Sequence, residues 1–377
     1  MAQNRNLFRL TRFILLRLPG VFKLFGGLRT AKKRLLIIKT DAIGDYILFR
    51  NFIEVVKRSE QYRDYHITLL ANPLCKDVAG KYDGQFVNKF IFANTEKIYD
   101  SPLEVLKLGW QLFRDSYEVV LQPAYSRTFM TDGLAGLAAA KQTIGFESDT
   151  ERIREKLKRK TDKFYTGRLL LPASITFEFE RTKFFFESLL KQELPINGPS
   201  LLPATGEKQG IVIAPGAGVM KRSWEPQQFV ELIKLIKAKS SEPIILAGGP
   251  SEIAAGNYII ENLPNAGIIN CINKTSLIEL VELIANSRLV IANETSTIHI
   301  AAATQTTSVC ILGGGHFGRF APYPETVPNA PICVYHPMDC FNCNWECIYK
   351  TQENESFPCI SKVSVDSIWA QAQKHLL

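Results

Sequence analysis

The sequence lacks any run of about 18 consecutive apolar residues, which argues against a membrane-spanning helix. It also lacks an internal repeat, so solenoid and propeller architectures are not expected. A composition of 46% hydrophobic and 22% charged residues excludes a disordered chain, a collagen and a coiled coil. At 377 residues the chain is long enough for two globular domains, each able to bury a core without disulfide bonds.

Acidic residues are missing from the start of the chain, where none precedes Asp41. The first 34 residues carry nine lysines and arginines, whereas the whole chain has a net charge of only +8. The remainder is therefore close to neutral, and the pI of about 9.0 belongs mainly to the N-terminal segment. Because a nucleic-acid enzyme more often carries its positive charge on the folded body, we expect no nucleic-acid partner.

The N-terminal segment has the spacing of a basic amphipathic helix. Six apolar residues share one face and three arginines lie opposite: Leu7, Phe8, Leu10, Ile14, Leu15 and Leu18 against Arg5, Arg9 and Arg12. Arginines interrupt the apolar run and no small-residue cleavage site follows, which argues against a signal peptide. We expect residues 1–30 to lie on an anionic membrane surface. The alternative is a helix that packs on the protein's own body.

After this segment, strand and helix patterns alternate, as in a parallel sheet with helices on both faces. In the first half, the predicted strands are Leu35–Ile38, His66–Ala71, Val87–Phe92 and Tyr117–Leu121, and the predicted helices are Tyr46–Arg58 and Pro102–Arg114. The charged stretch 151–163 is typical of a solvated loop or helix, with the binding of anionic acceptor groups as the alternative. The alternation predicts a Rossmann-like domain at 31–195.

A stretch of Pro, Gly, Asn and Lys at 192–209 has no periodicity and is the best linker. A second alternation follows, with strands at Ile211–Ala214, Pro243–Ala247, Ala266–Asn270, Arg288–Ala292, Ser308–Leu312 and Ile332–Tyr335, and helices at Pro226–Lys239, Leu277–Asn286 and Thr297–Ala303. We place a second Rossmann-like domain at 205–340. A cysteine-rich segment and a C-terminal helix occupy 340–377.

Polar or glycine-rich turns follow several predicted strands, at the edge where such sheets bind ligands. The first turn contains Gly44 and Asp45, and Asp45 can cap the next helix or act chemically. In the second half, Pro215–Pro226 and Glu294–Ser296 each lead into a helix and can receive phosphate. No GxGxxG fingerprint follows the first strand, which argues against NAD or FAD.

Four segments in a fixed order carry a resemblance to a known family. They are Ile37–Asp45, Ala214–Ala217 with Lys221–Trp224, Leu246–Glu252 and Glu294–Ala302. Through them the chain resembles the family-nine bacterial glycosyltransferases, which include the ADP-heptose:lipopolysaccharide heptosyltransferases. The resemblance spans roughly residues 34–375. It implies an α/β fold of the GT-B type, with two Rossmann-like domains whose parallel sheets face each other across a cleft, and a final helix that crosses back to the first domain.

The resemblance also implies an inverting, metal-independent sugar transfer. Asp45 matches the catalytic base that takes the proton of the acceptor hydroxyl as it attacks the anomeric carbon. Lys221 resembles the lysine that neutralises the donor diphosphate. The family usually places that lysine two residues before the tryptophan, where this chain has Arg222, so the choice between Lys221 and Arg222 stays open. Glu252 matches a glutamate that holds the donor ribose, and a surface loop is its alternative.

The turn after the fourth predicted strand of the second half departs from the family pattern. Thr295 and Ser296 match a phosphate-binding turn in which the family usually has Asp-Thr/Ser-Gly. The acid of that turn is implicated in contacting the sugar, so the longer Glu294 leaves open whether heptose or a related sugar is transferred. His299 matches a family histidine and fits a buried core position equally well. The loop Gly313–His316 can close over the donor.

Four of the eight cysteines are clustered: Cys340, Cys343, Cys347 and Cys359. Four thiolates with the initial C-x2-C spacing can close a tetrahedral zinc site. Two disulfides or reduced thiols are the alternatives, and disulfides are disfavoured in a cytosolic enzyme. We therefore expect a structural zinc at most, and no catalytic cofactor.

These features predict a glycosyltransferase that is peripheral on the cytoplasmic face of the bacterial inner membrane. The second domain would bind a nucleotide-diphosphate sugar. The first would receive a lipid-linked glycan, such as lipopolysaccharide or another cell-surface glycan. Two alternatives remain: a GT-B-like nucleotide-sugar epimerase, which turns over donor without an acceptor, and a catalytically silent, membrane-associated protein that binds nucleotide sugars.

Overall fold

The chain divides into two compact units, Met1–Ile175 with Phe179–Pro195, and Thr176–Glu178 with Ile196–Leu377. The computed structural model describes residues 4–26, 29, 32–201 and 206–376. Each unit is built on a six-stranded sheet in which all neighbouring strands are parallel. The expected α/β class with two parallel sheets is confirmed.

The sheet of the first unit has the strand order β3-β2-β1-β4-β5-β6. Its strands are β1 (Arg34–Lys39), β2 (His66–Ala71), β3 (Lys89–Phe92), β4 (Val119–Gln122), β5 (Gln142–Phe146) and β6 (Gly167–Leu169). The helices are α1 (Arg5–Gly26), α2 (Ile43–Phe49), α3 (Asn51–Arg58), α4 (Lys76–Val78), α5 (Pro102–Arg114), α6 (Phe129–Leu137), α7 (Glu155–Thr161) and α8 (Glu178–Leu190). The central strands β1 and β4 are almost fully buried because helices cover both faces.

The sheet of the second unit has the strand order β12-β11-β10-β7-β8-β9. Its strands are β7 (Ile211–Ala214), β8 (Ile244–Leu246), β9 (Ile269–Asn270), β10 (Leu289–Asn293), β11 (Ser308–Ile311) and β12 (Ile332–Val334). The helices are α9 (Pro226–Lys239), α10 (Ile253–Asn262), α11 (Leu277–Ala285), α12 (Ser296–Ala303), α13 (Pro358–Ser361) and α14 (Val365–Ala372).

Both sheets have the same topology, because the first strand of each unit lies between its second and its fourth. In this arrangement the chain reverses its direction of travel across the sheet between the first and fourth strands. Loops at the carboxyl ends of those two strands diverge and leave room for a ligand. We therefore expect ligands to bind at the turns after β1 and β4 in the first unit, and after β7 and β10 in the second.

Helix α1 packs on α5 and α6 of the first unit. Ile14 and Leu15, on the predicted membrane face, are buried in the unit's core, so the packing alternative holds for this part of the helix. Leu7 and Leu10, on the same predicted face, remain 40% and 49% exposed. Within the described residues, no helix has the length and hydrophobicity needed to cross a bilayer.

The C-terminal helix α14 packs on α9 and on β11 of the second unit. Its Ile368 and Ala372 are fully buried in the core of that unit. The expectation that this helix crosses back to the first domain is therefore wrong, because its apolar face is already used within the second unit.

Candidate active site

The turn after β1 presents Asp45 at the carboxyl edge of the first sheet. Asp45 lies half-buried in the first turn of α2, where the helix dipole favours a carboxylate. The N-cap residue is Ala42, which offers no side-chain capping bond. The dipole interaction is worth only about 0.3–1 kcal/mol, which leaves Asp45 available for chemistry as well.

A network of ion pairs holds this turn in place. The Lys39 ammonium lies 3.0 Å from one carboxylate oxygen of Asp41, and Arg152 donates to the other at 2.9 Å. Arg152 also pairs with Glu96 at 2.9 Å. Burial raises the pKa of Asp41, but the charges of Lys39 and Arg152 outweigh that effect and bring the pKa to about 2. Asp41 is therefore anionic at any physiological pH, and the turn keeps its shape.

Arg152 is the functional candidate that the sequence did not single out. Burial lowers the pKa of Arg152, but the charges of Asp41, Asp45 and Glu96 raise it above the ordinary value. Arg152 thus lies close enough to Asp45 to act on it electrostatically, although 107 residues separate them. Its cationic charge is thus part of the surroundings of Asp45, the candidate general base.

In the second unit, Glu252 connects two glycine turns. Its carboxylate accepts hydrogen bonds from the backbone N–H of Gly249 at 2.7 Å and from the Ser251 hydroxyl at 2.7 Å, with a longer contact of 3.4 Å from the N–H of Gly218. A Cβ at Gly216 would lie 2.2 Å from the Glu252 side chain, so only glycine fits there. Glu252 is buried, which excludes the surface-loop alternative. Its contact with a ribose stays a prediction.

Lys221 and Arg222 lie on a short helical turn after β7. Both side chains contact the cysteine-rich segment, Cys340–Cys359. The Arg222 guanidinium lies 4.5 Å above the Trp345 ring. The Lys221 ammonium reaches the Thr351 hydroxyl at 3.3 Å, and its carbonyl accepts from the N–H of Phe357. The cysteine-rich segment therefore fixes the two cations that the sequence assigns to the diphosphate.

The turn between β10 and α12 lies beside the β7 turn. Thr295 caps α12 by accepting from the N–H of Thr297 at 3.3 Å, and Ser296 is the first residue of the helix. Buried Asn293 accepts from the N–H of Trp224 at 2.8 Å and donates to the carbonyl of Gly216 at 3.2 Å. Asn293, which sequence reasoning missed, thus joins the two phosphate-binding candidates, while Trp224 is a packing residue with 1% exposure.

Glu294 has an unusual environment for an acid. One of its carboxyl oxygens, Oε2, is buried and has no hydrogen-bond partner among the described residues. Burial raises its pKa to about 8, against a smaller opposing effect of Arg222. The carboxyl is therefore largely protonated at pH 7. In that form it can both donate to and accept from a sugar hydroxyl.

Replacing Glu294 by Gln should remove a pH-dependent cost to stability. A folded pKa near 8 against 4.5 for an ordinary glutamate means that the folded state holds a proton the unfolded state has lost. The contribution of Glu294 to the free energy of unfolding therefore becomes less favourable as the pH rises from about 4.5 to 8. The stability of Glu294→Gln relative to wild type should rise over that range, by up to about 3 kcal/mol at pH 7.

Urea unfolding of both proteins at several pH values from 5 to 8 measures this difference. The same substitution at the exposed Glu353 controls for the removal of one carboxyl group. If the difference in the free energy of unfolding between Glu294→Gln and wild type stayed constant with pH, the protonated state of Glu294 would be contradicted.

Two other candidates are engaged in packing. His299 is 3% exposed and shares a hydrogen bond of 2.7 Å with the Tyr323 hydroxyl. Burial lowers the pKa of His299 to about 4, so the ring is neutral. His299 thus occupies a buried core position, which is one of the two alternatives given by the sequence. In the predicted closing loop, a Cβ at Gly315 would lie 2.2 Å from Trp345, so that ring packs directly on the loop.

The four clustered cysteines line one small cavity, together with Trp345 and Phe357. None of the four is paired in a disulfide, and burial raises the pKa of Cys359, with a further contribution from the charges of the other three. Within the described part of the chain, no three metal-ligating side chains reach the spacing needed to hold an ion. The four sulfur donors suit a soft metal.

A family profile and a curated relative point to one family. The profile of glycosyltransferase family 9 (heptosyltransferase) matches residues 106–345. Lipooligosaccharide heptosyltransferase 2 of Campylobacter jejuni is 24% identical over 324 residues, which cover 82% of this chain and 94% of that protein.

Two solved structures share the fold, each at 16% identity. A family 9 glycosyltransferase from Veillonella parvula has a TM-score of 0.71 and covers 92% of this chain and 98% of that one. The ADP-heptose lipopolysaccharide heptosyltransferase II of E. coli has a TM-score of 0.67, with 91% and 98% covered. The two parallel Rossmann-like sheets and these structural matches show a fold of the GT-B type. Since the family profile matches more than half of the sequence, the chain belongs to glycosyltransferase family 9.

Proposed function

We propose that the protein transfers a sugar with inversion from a nucleotide-diphosphate donor, and that Asp45 is the general base. The observation that carries the proposal is the placement of Asp45 at the carboxyl edge of the first sheet, beside the cation of Arg152. An ionised carboxylate there can take the proton of an acceptor hydroxyl as the oxygen attacks the anomeric carbon. Direct displacement by the acceptor inverts the anomeric configuration.

The donor diphosphate binds at the second unit in this proposal. Arg222 or Lys221 neutralises the charge that grows on the leaving diphosphate, so no metal ion is needed for that role. The N-terminus of α12, capped by Thr295 and begun by Ser296, supplies backbone N–H groups to the phosphates. Glu252 holds the ribose, and protonated Glu294 contacts the transferred sugar. His299 supports the turn from the core.

The names of the relatives support heptose or a related sugar as the transferred group, and lipopolysaccharide or another lipid-linked glycan as the acceptor. Such an acceptor is embedded in a membrane. A basic N-terminal helix with exposed apolar side chains suits peripheral binding to the cytoplasmic side of the bacterial inner membrane. The first unit then receives the acceptor.

Donor turnover with and without acceptor tests the proposed function. The purified chain is incubated with ADP-heptose and other nucleotide-diphosphate sugars, alone or with lipid-linked acceptors. We expect release of nucleoside diphosphate only with acceptor, and a gain of one sugar in the acceptor's mass. Conversion of donor alone into an isomer would indicate an epimerase, and donor binding without any turnover would indicate a silent binding protein.

We also propose that Cys340, Cys343, Cys347 and Cys359 hold a structural zinc ion. The support is their convergence on one cavity and the soft thiolate donors. The ion would fasten the segment that holds Lys221 and Arg222.

Metal analysis of the purified chain should find about one zinc per molecule. The double variant Cys343→Ser/Cys359→Ser should lose the metal and unfold at a lower temperature, because metal binding to such sites is coupled to folding. Cys271→Ser, which changes a cysteine outside the cluster, should keep the metal. Iron in place of zinc would correct the identity of the ion, and a protein without stoichiometric metal would contradict the site.

A further inference from the structure

A cavity of about 450 Å³ lies in the first unit, away from the turn that carries Asp45. The C-terminal half of α1, the end of α6 and the turn after α7 enclose it. Thr143, near the start of β5, and Thr166, just before β6, line it as well. It therefore opens at the amino edge of the sheet, whereas Asp45 lies at the carboxyl edge. The cavity has no part in the proposed sugar transfer.

The charged groups that line this cavity are all cationic. Arg17 and Lys23 come from α1, Lys160 comes from α7 and Lys163 from the following turn, and no acidic side chain lines the cavity. In the described residues, none of these four cations forms an ion pair or a side-chain hydrogen bond. Lys160 lies at the C-terminal end of α7, where the helix dipole favours a cation. The dipole of α7 does not account for Arg17 and Lys23, because both belong to α1. Four like charges around one cavity give it a positive potential, which attracts an anion.

The backbone near the cavity does not supply the missing negative charge. Helix α6 ends beside it, and a helix C-terminus carries partial negative charge on its free carbonyl groups. Arg29 donates to the carbonyl groups of Ala138 and Ala139, the second at 2.7 Å. The end of α6 is therefore already neutralised, and the positive potential of the cavity is left for a ligand.

An exposed apolar stripe on α1 borders the cavity. Its residues are 40% to 79% exposed and are Leu7, Leu10, Phe13, Val21, Leu24 and Phe25. Arg17, on the wall of the cavity, is four residues from both Phe13 and Val21, so the three side chains lie on the same side of the helix. The neighbouring helix α5 adds exposed Leu103 and Trp110, with the Trp110 ring 6.0 Å from that of Phe22 on α1.

We propose that the cavity binds the phosphate of an anionic phospholipid headgroup while the apolar stripe lies in the interfacial layer of the bilayer. This proposal rests on the membrane-surface placement in the proposed function and adds a defined lipid site to it. The four cations that line the cavity are complementary in charge to a phosphate group. The stripe identifies a lipid as its source, because a soluble phosphate would gain nothing from apolar side chains beside the cavity.

Flotation of the full chain with vesicles tests the lipid site. The vesicles contain phosphatidylglycerol and phosphatidylcholine in equal amounts. The cavity variant is Arg17→Gln/Lys160→Gln/Lys163→Gln, in which all three residues are exposed. Its matched control, Lys239→Gln/Lys362→Gln/Lys374→Gln, removes the same charge from exposed positions of the second unit. We expect the cavity variant to bind at least about tenfold more weakly than wild type, and the control to stay within about twofold.

A second pair of variants separates this proposal from the membrane placement on which it rests. Leu10→Ser/Phe13→Ser/Leu24→Ser should lose vesicle binding, whereas Leu170→Ser/Ile348→Ser, exposed elsewhere, should keep it. Equal losses in the cavity variant and its charge-matched control would refute the lipid site and leave the membrane placement standing. A wild type that does not float with the vesicles would refute both.

Inorganic phosphate distinguishes the source of the anion. In the lipid proposal, free phosphate should release the wild type from the vesicles only at millimolar concentrations or above, since it lacks the contribution of the stripe. Release at micromolar phosphate would show that the cavity takes a soluble anion, and the proposal would be wrong. Circular dichroism and thermal unfolding of each variant check that the fold is retained.

Discussion

Replacing Asp45 by Asn should lower kcat by about 10²–10⁴-fold and leave the dissociation constant of the donor within about twofold. Asparagine keeps the size of the side chain and its place in the first turn of α2, but it cannot accept the acceptor's proton. The loss of the dipole interaction costs at most about 1 kcal/mol, too little to unfold a domain of ordinary stability. Steady-state kinetics and calorimetric titration of the donor measure the two quantities.

The control for this prediction is Asp77→Asn, which changes an exposed acid on the neighbouring helix α4. It should leave kcat within about twofold. If Asp45→Asn lost donor binding together with turnover, Asp45 would have a structural role. If it kept full turnover, another group would be the base.

Replacing Arg222 by Gln should lower kcat by about 10²–10³-fold, more than the same change at Lys221. The structure favours Arg222 because its guanidinium acts on the carboxyl group of Glu294, next to the Thr295–Ser296 turn. The Trp345 ring also holds the guanidinium in place at 4.5 Å. Lys221 instead reaches Thr351 in the cysteine-rich segment. A cation fixed beside the diphosphate stabilises the leaving group without reorganisation.

Single-turnover rates with saturating donor separate this effect from donor affinity. Arg222→Lys is the conservative control, and it should recover part of the rate because it keeps the charge but loses the planar stacking on Trp345. A larger loss in Lys221→Gln than in Arg222→Gln would reverse the assignment and make Arg222 a packing partner of the cysteine-rich segment.

Helices with a one-sided apolar pattern were predictable from the sequence. Pro102–Arg114 and Pro226–Lys239 have the predicted bounds, because each starts with proline in its first turn and has a clear helical period. Helix α6 was missed because all nine of its residues are buried, which removes the periodic contrast between apolar and polar positions. Strand β6, with three residues at the sheet edge, is too short to give a pattern.

The candidate site was predictable where the chemistry lies within one turn of the chain. Asp45, Glu252 and the Glu294–Ser296 turn each follow a buried strand or its glycine turn. Arg152 and Asn293 were missed for different reasons. Arg152 reaches Asp41 only through the folding of a charged loop, and Asn293 resembles an ordinary strand end until its contacts with Trp224 and Gly216 are known.

The buried face of the N-terminal helix α1 could not be predicted from the spacing of its apolar residues. Its apolar residues cover more than one face, and the sequence does not reveal which face meets the protein. In the structure, Leu15 packs against Gly133 of α6, where a Cβ would lie 2.6 Å from the leucine side chain. That contact selects the buried face and leaves the stripe with Phe13 and Leu24 to the exterior.

The anomeric configuration of the product tests the central claim most directly. The acceptor is glycosylated with a donor of defined configuration, and the one-bond coupling between C1 and H1 of the new sugar residue is read by NMR. A single base that activates the acceptor for direct displacement predicts a linkage opposite in configuration to the donor. A product that retains the donor's configuration would contradict the role of Asp45 as the general base.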